Sequence, residues 1–302
     1  MKYLLSAMGA LSLLAACSGD GTNPFTQPGT TTPNATPVPA LLAGDVSAVA
    51  YDASAQTLTV TGVPLISGQQ TTQFTRNAAL DVAGYEAYSV QDDALSRHVI
   101  ALVSQSSNSG ALRARVVSTG GQFGQLRNGG YYERSGAYTP PATGLVRYAG
   151  TYAGLTNISI SGDLLPTDPN TPTAILPGQS ARTEGDILIT VDFSSNVLEG
   201  SIYNREIVDT GTGLPTLMLV STPIGEDGTF YGTDISYQGD SESDVGDYGG
   251  LFGGPNAEAL GGIVDLSEFD NDLLGLENET ELGVFVLDSC DSAAGSHPTC
   301  TP

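Results

Sequence analysis

The sequence predicts an all-β protein, because three of its features agree. Apolar residues alternate with polar ones over short runs, as in strands that bury one face. Turn-forming residues separate these runs, and the 302-residue chain contains 38 glycines and 17 prolines. No run has a convincing helical period. Short strands separated by turns are typical of a small antiparallel barrel or sandwich.

The clearest strand begins at Ile187. Ile187, Ile189 and Val191 point to one side, and Thr190 points to the other. A Ser-Ser-Asn turn follows, and the chain returns over residues 197–203, which predicts a hairpin. Further strands are predicted at residues 150–154 leading into 158–160, and at 217–221, 228–237, 261–265 and 282–288.

An earlier β-rich block covers residues 41–140. In its last strand, apolar Leu112, Ala114 and Val116 alternate with arginines, which predicts one buried and one polar face. Two prolines at positions 140 and 141 interrupt any ladder, so a domain boundary is predicted near residues 141–146. The predicted strands of this block are 46–51, 57–63, 86–90, 98–104 and 112–119.

The first 16 residues read as a lipoprotein signal peptide. Lys2 precedes an apolar run that is too short to span a membrane, and the run ends in Leu-Ala-Ala-Cys17, the pattern of a bacterial lipobox. We expect acylation of Cys17; the alternative is an ordinary cleaved signal with a coincidental cysteine. Residues 17–40 form a Pro/Thr/Gly tether, and Ser18 after the cysteine favours the outer membrane.

Composition and motifs exclude several functions. The chain carries 33 acidic and 10 basic side chains, for a formal net charge of −23. Neutralising phosphates takes clustered Lys and Arg, so nucleic acid is not a predicted partner. No G-x-S-x-G elbow, H-E-x-x-H motif or glycine-rich loop before a helix occurs. We therefore predict no enzyme, no catalytic residue, no metal site and no cofactor.

The C-terminal tail, residues 290–302, contains Cys290 and Cys300. An exported protein meets oxidising conditions, and lipid consumes Cys17, so the two remaining cysteines make an even pair. A disulfide between them is predicted. The alternative is a metal site that combines both cysteines with His297.

The segment DYGGLFGGPNAEALGGI, residues 247–263, resembles the barrel signature of the transferrin-binding protein B-like surface lipoproteins. In that family a glycine-rich strand with an aromatic residue leads into such a turn. The resemblance implies an eight-stranded antiparallel β-barrel over residues 141–289, preceded by a smaller β-rich handle domain over 41–140. The signature residues, expected to be structural, are Gly253, Gly254, Pro255, Ala257, Glu258, Gly261 and Gly262.

The same resemblance implies a function. The family includes binders of transferrin, lactoferrin, complement factors and haem carriers. We therefore expect a non-catalytic module, anchored to outer-membrane lipid through acylated Cys17 and exposed at the cell surface. Its expected ligand is a protein, a haem carrier or another haem/iron-related ligand. A chain with no lysine after Lys2 and only one handle and one barrel disfavours transferrin itself. The alternative is a structural or envelope-interaction lipoprotein without a small-molecule ligand.

Two further features leave alternatives open. His98 falls on the face of Ile100 and Leu102, as an ordinary strand-end histidine does, although histidine is also a haem ligand. Acidic residues cluster at 240–247 and 265–281 without the spacing of an EF-hand, so solvated loops are favoured over a calcium site. Loops of this charge favour a partner with a cationic patch.

Overall fold

The computed structural model is built almost entirely of β-strands, which form two antiparallel sheets. The all-β prediction is therefore confirmed. Within the described residues, no helix is long and apolar enough to cross a membrane. Cys17 and most of the tether lie outside the described part. The structure describes residues 38–52, 54–62, 71–107, 112–122, 125–141, 144–292, 294–295 and 297–300.

The first sheet has seven strands, each paired with the next along the chain. A one-turn helix, α1 (Ala40–Ala43), precedes it. The strands are β1 (Val46–Asp52), β2 (Thr57–Gly62), β3 (Thr71–Arg76), β4 (Glu86–Val90), β5 (Val99–Gln105), β6 (Leu112–Thr119) and β7 (Asn128–Arg134). Of these, β3 and β7 are not predicted by the sequence pattern. We call this sheet the handle.

The handle lies between two hydrophobic cores. On β5, Ile100 and Leu102 pack in a core shared with Ile263 of the second sheet. Val99 and Val103 on the same strand face an inner core formed by the handle alone. The central strands of the handle are therefore buried on both faces, unlike the half-exposed strands that simple alternation predicts.

The polar face predicted for β6 is wrong at Arg115. Its side chain is fully buried, and its Nη2 donates to Glu133 Oε1 at 2.9 Å. The guanidinium also lies 4.7 Å from the ring centroid of Tyr131. A guanidinium tolerates such burial only when charge and hydrogen bonds compensate it, and both partners come from β7.

The second sheet contains ten strands, and its core is rich in aromatic residues. The strands are β8 (Leu145–Ile160), β9 (Gln179–Asp192), β10 (Val197–Ile207), β11 (Thr212–Gly213), β12 (Leu217–Pro223), β13 (Thr229–Gly232), β14 (Ile235–Tyr237), β15 (Gly246–Gly253), β16 (Ala259–Leu266) and β17 (Glu281–Ser289). Their order in the sheet is β13-β15-β16-β17-β8-β9-β10-β12-β14, with β11 paired to β10, and neighbouring strands are all antiparallel.

The second sheet closes into a barrel through one interrupted strand. β13 pairs with β15 and β14 pairs with β12, so together they bridge the two edges. An isolated bridge between Ile224 and Phe230 joins the edges further. When β13 and β14 are counted as one strand and the two-residue β11 is set aside, the barrel has eight strands. The predicted strand over residues 228–237 is thus present but broken.

Glycines let the handle approach the barrel closely. A Cβ on Gly261 of β16 would lie 2.1 Å from Leu112 Cδ2, and one on Gly130 would lie 2.3 Å from Ile263 Cδ1. Both distances are far below van der Waals contact, so a side chain at either position would push the two sheets apart. The shared core therefore depends on the absence of a side chain at these two positions.

The C-terminal tail is tied to the outside of the barrel. Cys290 and Cys300 form the predicted disulfide, which consumes both sulfurs and excludes the alternative metal site with His297. Tyr203 OH hydrogen-bonds Thr299 Oγ1 at 2.6 Å. His297 Nε2 lies 3.5 Å from a carboxylate oxygen of Asp186 on β9.

Replacing both tail cysteines is expected to release the tail and leave the barrel folded. For Cys290→Ser with Cys300→Ser, the loop-entropy model limits the loss of stability to about 3 kcal/mol. The contacts that remain are few and partly exposed, so the tail should become the first site of proteolysis. Urea denaturation and limited proteolysis with mass spectrometry measure the two effects. Collapse of the barrel in the double variant would contradict this assignment.

Candidate functional site

The barrel has one end with long loops and one end with tight turns. Successive antiparallel strands place the β8–β9, β10–β12, β14–β15 and β16–β17 connections together, at what we call the loop end. The β9–β10, β12–β13 and β15–β16 connections lie at the opposite, turn end. Binding residues are disproportionately found on loops held by a rigid scaffold, so the loop end is the first candidate surface. Its loops are residues 161–178, 208–216, 238–245 and 267–280.

The loop end is strongly acidic. Its four loops contain eleven carboxylates and no Lys or Arg. The nearest arginines are engaged: Arg182 pairs with Asp209 at 2.6 Å, and Arg205 is buried inside the barrel. The net field at this end therefore stays negative. The carboxylates are Asp163, Asp168, Asp209, Asp240, Glu242, Asp244, Glu268, Asp270, Asp272, Glu277 and Glu279.

The strands add to this negative charge. Asp247 on β15 stands directly opposite Asp265 on β16. Like charges in this position repel one another. Burial, together with the charge of Asp247, raises the pKa of Asp265 to about 6. Tyr231 OH donates a hydrogen bond to Asp247 Oδ1 at 2.8 Å.

Exposed apolar side chains collect at the same end. Six of the eight large hydrophobic residues that are exposed in the described part lie there, and Leu273 is 59% exposed. Leu95 belongs to the handle. The side-chain amide of Gln122 donates to the carbonyls of Leu95 and Ile175, and so links this part of the handle to the barrel. Leu41 lines a cleft with Asp244 and Thr280. The six are Leu41, Leu95, Leu165, Ile175, Leu273 and Leu276.

Beneath the loop end, the barrel interior holds a buried ion pair. Arg205 Nη2 lies 2.8 Å from Glu281 Oε2, and both side chains are fully buried. Tyr152 OH and Thr183 Oγ1 donate to the other oxygen, Glu281 Oε1, at 2.5 and 2.8 Å. Arg205 Nη1 also donates to the carbonyls of Pro215 and Phe269, at 2.9 Å each. This network ties two loop-end connections, β10–β12 and β16–β17, to the barrel wall.

Two carboxyl groups meet in the β16–β17 loop. Asp270 is fully buried and Glu279 is 4% exposed. Asp270 Oδ2 accepts the backbone N–H of Leu274 at 2.7 Å, whereas Oδ1 has no protein donor among the described residues. Burial, and next the hydrogen bond with Asp270, raise the pKa of Glu279 to about 7. A proton shared between the two carboxyl groups explains their proximity.

The Asp270–Glu279 pair predicts that stability falls as pH rises. The folded state holds a proton on Glu279 that the unfolded chain, with a pKa near 4.5, has lost. Its stabilisation is therefore complete below pH 4.5 and disappears as pH rises through 7. The raised pKa of Asp265 also makes stability fall with rising pH, between about pH 4 and 6. Thermal unfolding between pH 5 and 8 should show this slope, and Glu279→Gln should flatten it. An unchanged slope in the variant would contradict the shared proton.

The acidic loops do not form a metal cage. Across the described ranges, no three His, Cys, Asp or Glu side chains are placed so that they could hold one metal ion. Hard cations take six to eight oxygen ligands from a converging loop. The calcium alternative therefore gains no support from the arrangement of these loops.

His98 lies at the junction of handle and barrel. It precedes β5, is 2% exposed, and lines a groove of about 350 Å³ between the handle and the β8–β9 loop. Burial lowers the pKa of His98, against the opposing charge of Asp163. The groove is lined mainly by amide and hydroxyl side chains, and it brings no second His, Met or Cys to His98. The haem hypothesis gains no second axial ligand here.

The signature turn lies at the turn end, away from the acidic loops. Gly253 pairs with Ala259 at the end of β15, and Gly254 has a φ of 79°. Ala257, with a φ of 52°, donates its N–H to Thr139 O at 2.9 Å. Tyr148 OH donates to the carbonyl of Ala257 at 2.6 Å. Gly261 and Gly262 continue into β16, where Gly261 faces the handle.

Three solved structures of transferrin binding protein B resemble this chain. A double and a single mutant of that vaccine antigen from Haemophilus parasuis Hp5 are each 16% identical, with TM-scores of 0.43 and 0.40. They cover 80% and 76% of this chain. The isotype 1 protein from serogroup B Neisseria meningitidis is 14% identical, has a TM-score of 0.36, and covers 82%.

This chain spans 42% of the length of each of these three structures. No protein-family model matches the sequence, and no curated protein matches it either. At such identities and TM-scores, the likenesses carry no information about what this chain binds. The family that residues 247–263 resemble is thus also found among the similar solved structures, at low identity.

Proposed function

We propose that this protein is a non-catalytic outer-membrane lipoprotein that binds a protein partner through the loop end. The observation that supports the proposal is the coincidence at one end of two features: eleven acidic residues in loops that contain no Lys or Arg, and six exposed apolar side chains. Exposed apolar surface rimmed by charge is typical of protein-binding sites. The turn end, by contrast, exposes only Leu145 among large hydrophobic residues of the described part.

The partner's chemistry follows from the charge. A surface patch rich in Arg or Lys would be steered toward the loop end, because complementary fields raise the association rate. The leucines would then supply the apolar area that is removed from water on binding. Nucleic acid carries the wrong charge for this surface. A haem carrier remains within the class of protein partners, although no described residue argues for haem itself.

The anchoring and domain layout are part of the same proposal. Residues 1–16 act as the signal peptide, Cys17 carries the lipid, and residues 17–40 form the tether. Fully extended, the chain from Cys17 to Val38 reaches about 70 Å, so the loop end can stand clear of the lipid. The handle occupies 41–140, the barrel 141–289 and the tail 290–302. The signature residues, Glu258 among them, serve the barrel's structure.

The binding proposal is tested by capture with matched variants. The purified protein is immobilised, and proteins retained from host fluid or from neighbouring cells are identified by mass spectrometry. Leu273→Ser with Leu276→Ser should abolish retention of a specific partner, and Leu145→Ser at the turn end should not. Glu277→Gln with Glu268→Gln should weaken binding and its salt dependence, with Glu226→Gln as the turn-end control. Equal retention by all variants would place the interface elsewhere.

Exposure on the cell is tested by protease shaving of intact bacteria. A surface module is lost on shaving, and a Cys17→Ala variant is no longer retained in the membrane. If the protein survives shaving and captures no partner, a structural role facing the periplasm replaces the proposal.

A further inference from the structure

The groove beside His98 is built from two separate parts of the chain. Its floor is the outer face of β3 and β4, where their pairing ends at Thr75 and Ser89. Its other wall is the start of the β8–β9 loop, and Val90 and Leu164 add a small apolar side. Ligand sites occur preferentially at such domain junctions, and about 350 Å³ lies at the lower limit of their usual volume. The space suits a ligand of roughly one ring.

The polar groups of the groove are held in place by hydrogen bonds across the junction. Asn77 Nδ2 donates to Asp163 Oδ2 at 2.5 Å and to Ser89 Oγ at 2.9 Å. The backbone N–H of Leu165 donates to Gln91 Oε1 at 2.8 Å. These contacts fix the wall relative to the floor before any ligand arrives, which lowers the entropic cost of binding.

His98 lines the groove and carries a buried polar atom. Its side chain is only 2% exposed, and its Nδ1 has no hydrogen-bond partner among the described residues. A buried polar atom without a partner costs about 1–3 kcal/mol, so such atoms in native proteins call for an explanation. Burial lowers the pKa of His98 and keeps the ring neutral, with one donor and one acceptor nitrogen.

We propose that this groove binds a neutral, hydroxyl-rich sugar ring. Hydroxyl groups both donate and accept, which matches a lining of amides, hydroxyls, one imidazole and the Asp163 carboxylate. No Lys or Arg lines the groove, so an anionic ligand finds no counter-charge. The small apolar side offers contact for the C–H face of a ring. The polar lining consists of Gln73, Thr75, Asn77, Gln91, His98 and Asp163, with Ser89 between the strands.

The groove adjoins the proposed protein interface, because Asp163 and Leu165 belong to both. Leu273 and Leu276, on which partner capture is tested, do not line the groove. A glycan on a protein partner or on a neighbouring cell surface would present the same ring chemistry. Free monosaccharides test that chemistry directly, and they need no knowledge of the partner.

Saturation-transfer NMR on the purified protein provides the test. Glucose, galactose, mannose and N-acetylglucosamine are the neutral probes, and inorganic phosphate and N-acetylneuraminic acid are the charged controls. We expect transfer to at least one neutral sugar. His98→Phe and Gln73→Leu should each weaken it by about tenfold or more. Gln105→Leu, a change at the far end of a handle strand, should leave it unchanged.

Thermal stability separates a binding role from a structural one. Because His98→Phe removes an unpaired buried nitrogen and keeps a ring, its unfolding temperature should match or exceed that of the parent. Partner capture through Leu273 and Leu276 should persist in this variant. No transfer from any neutral sugar, transfer from charged probes alone, or binding that survives both groove changes would overturn the proposal.

Discussion

Glu281→Gln is expected to destabilise the protein by about 3–5 kcal/mol. The change keeps the size of the side chain and acceptor capacity for Tyr152 and Thr183, but it leaves the buried charge of Arg205 without a counter-ion. Two remaining carbonyl acceptors cannot replace a carboxylate. Because the network joins β10, β17 and the loop before β12, the change should lower the stability of the whole barrel. Guanidinium denaturation measures it as a lower midpoint.

The exposed pair Arg127–Asp45 supplies the control for this prediction. Its atoms are 3.7 Å apart and its side chains are 39% and 20% exposed, so Arg127→Gln should cost less than about 1 kcal/mol. Replacing both buried partners, as Arg205→Met with Glu281→Leu, should recover much of the loss, because no lone charge stays buried. If Glu281→Gln cost no more stability than Arg127→Gln, another group would be compensating the buried charge of Arg205, and the prediction would be wrong.

Phe252→Ala is expected to cost a similar amount, about 3–5 kcal/mol. Phe252 is fully buried on β15, near the turn end of the barrel. Its ring centroid lies 5.4 Å from that of Phe193, 5.6 Å from Tyr148, 5.9 Å from Phe230 and 6.0 Å from Tyr138. Removing the central ring leaves a cavity that four rigid neighbours cannot close, and it frees Tyr138 in the connection to the handle.

Two companion variants sharpen this second prediction. Phe252→Leu keeps most of the volume and should cost less than half as much as the alanine change. Tyr231→Ala removes an aromatic ring that is 38% exposed, and its effect should stay small. Urea denaturation of the three variants ranks them. Equal midpoints for Phe252→Ala and Tyr231→Ala would show that the cluster repacks.

Strands with strong alternation were predictable, and those without it were not. Ile187, Ile189 and Val191 mark β9, and all three are fully buried. β3 buries only Thr72 and Phe74, so its apolar signal is weak. β7 begins with Asn128 and two glycines, a sequence that is typical of a turn. Both missed strands are recognisable only through their neighbours in the sheet, and that information is not local in the sequence.

The functional groups follow the same division. The acidic loops and their net charge can be read from the sequence, because net charge depends on composition and not on three-dimensional contacts. The pairing of Arg205 with Glu281 joins residues 76 positions apart and leaves no local pattern. Arg115 reads as solvent-facing until Glu133 on the missed β7 is in place. The sequence pattern predicts His98 on a strand face, whereas the groove over it needs the β8–β9 loop, 65 residues further along.

The shared core orders events along the chain during folding. The inner core of the handle uses residues of the handle alone, but its outer face is covered by Ile263, Leu282 and Val284, which lie on β16 and β17. The handle is synthesised first, whereas these last strands are synthesised at the end. Until they are present, Ile100 and Leu102 have no apolar partner from the barrel and remain exposed to water. The handle therefore cannot bury both of its faces before nearly the whole chain is available.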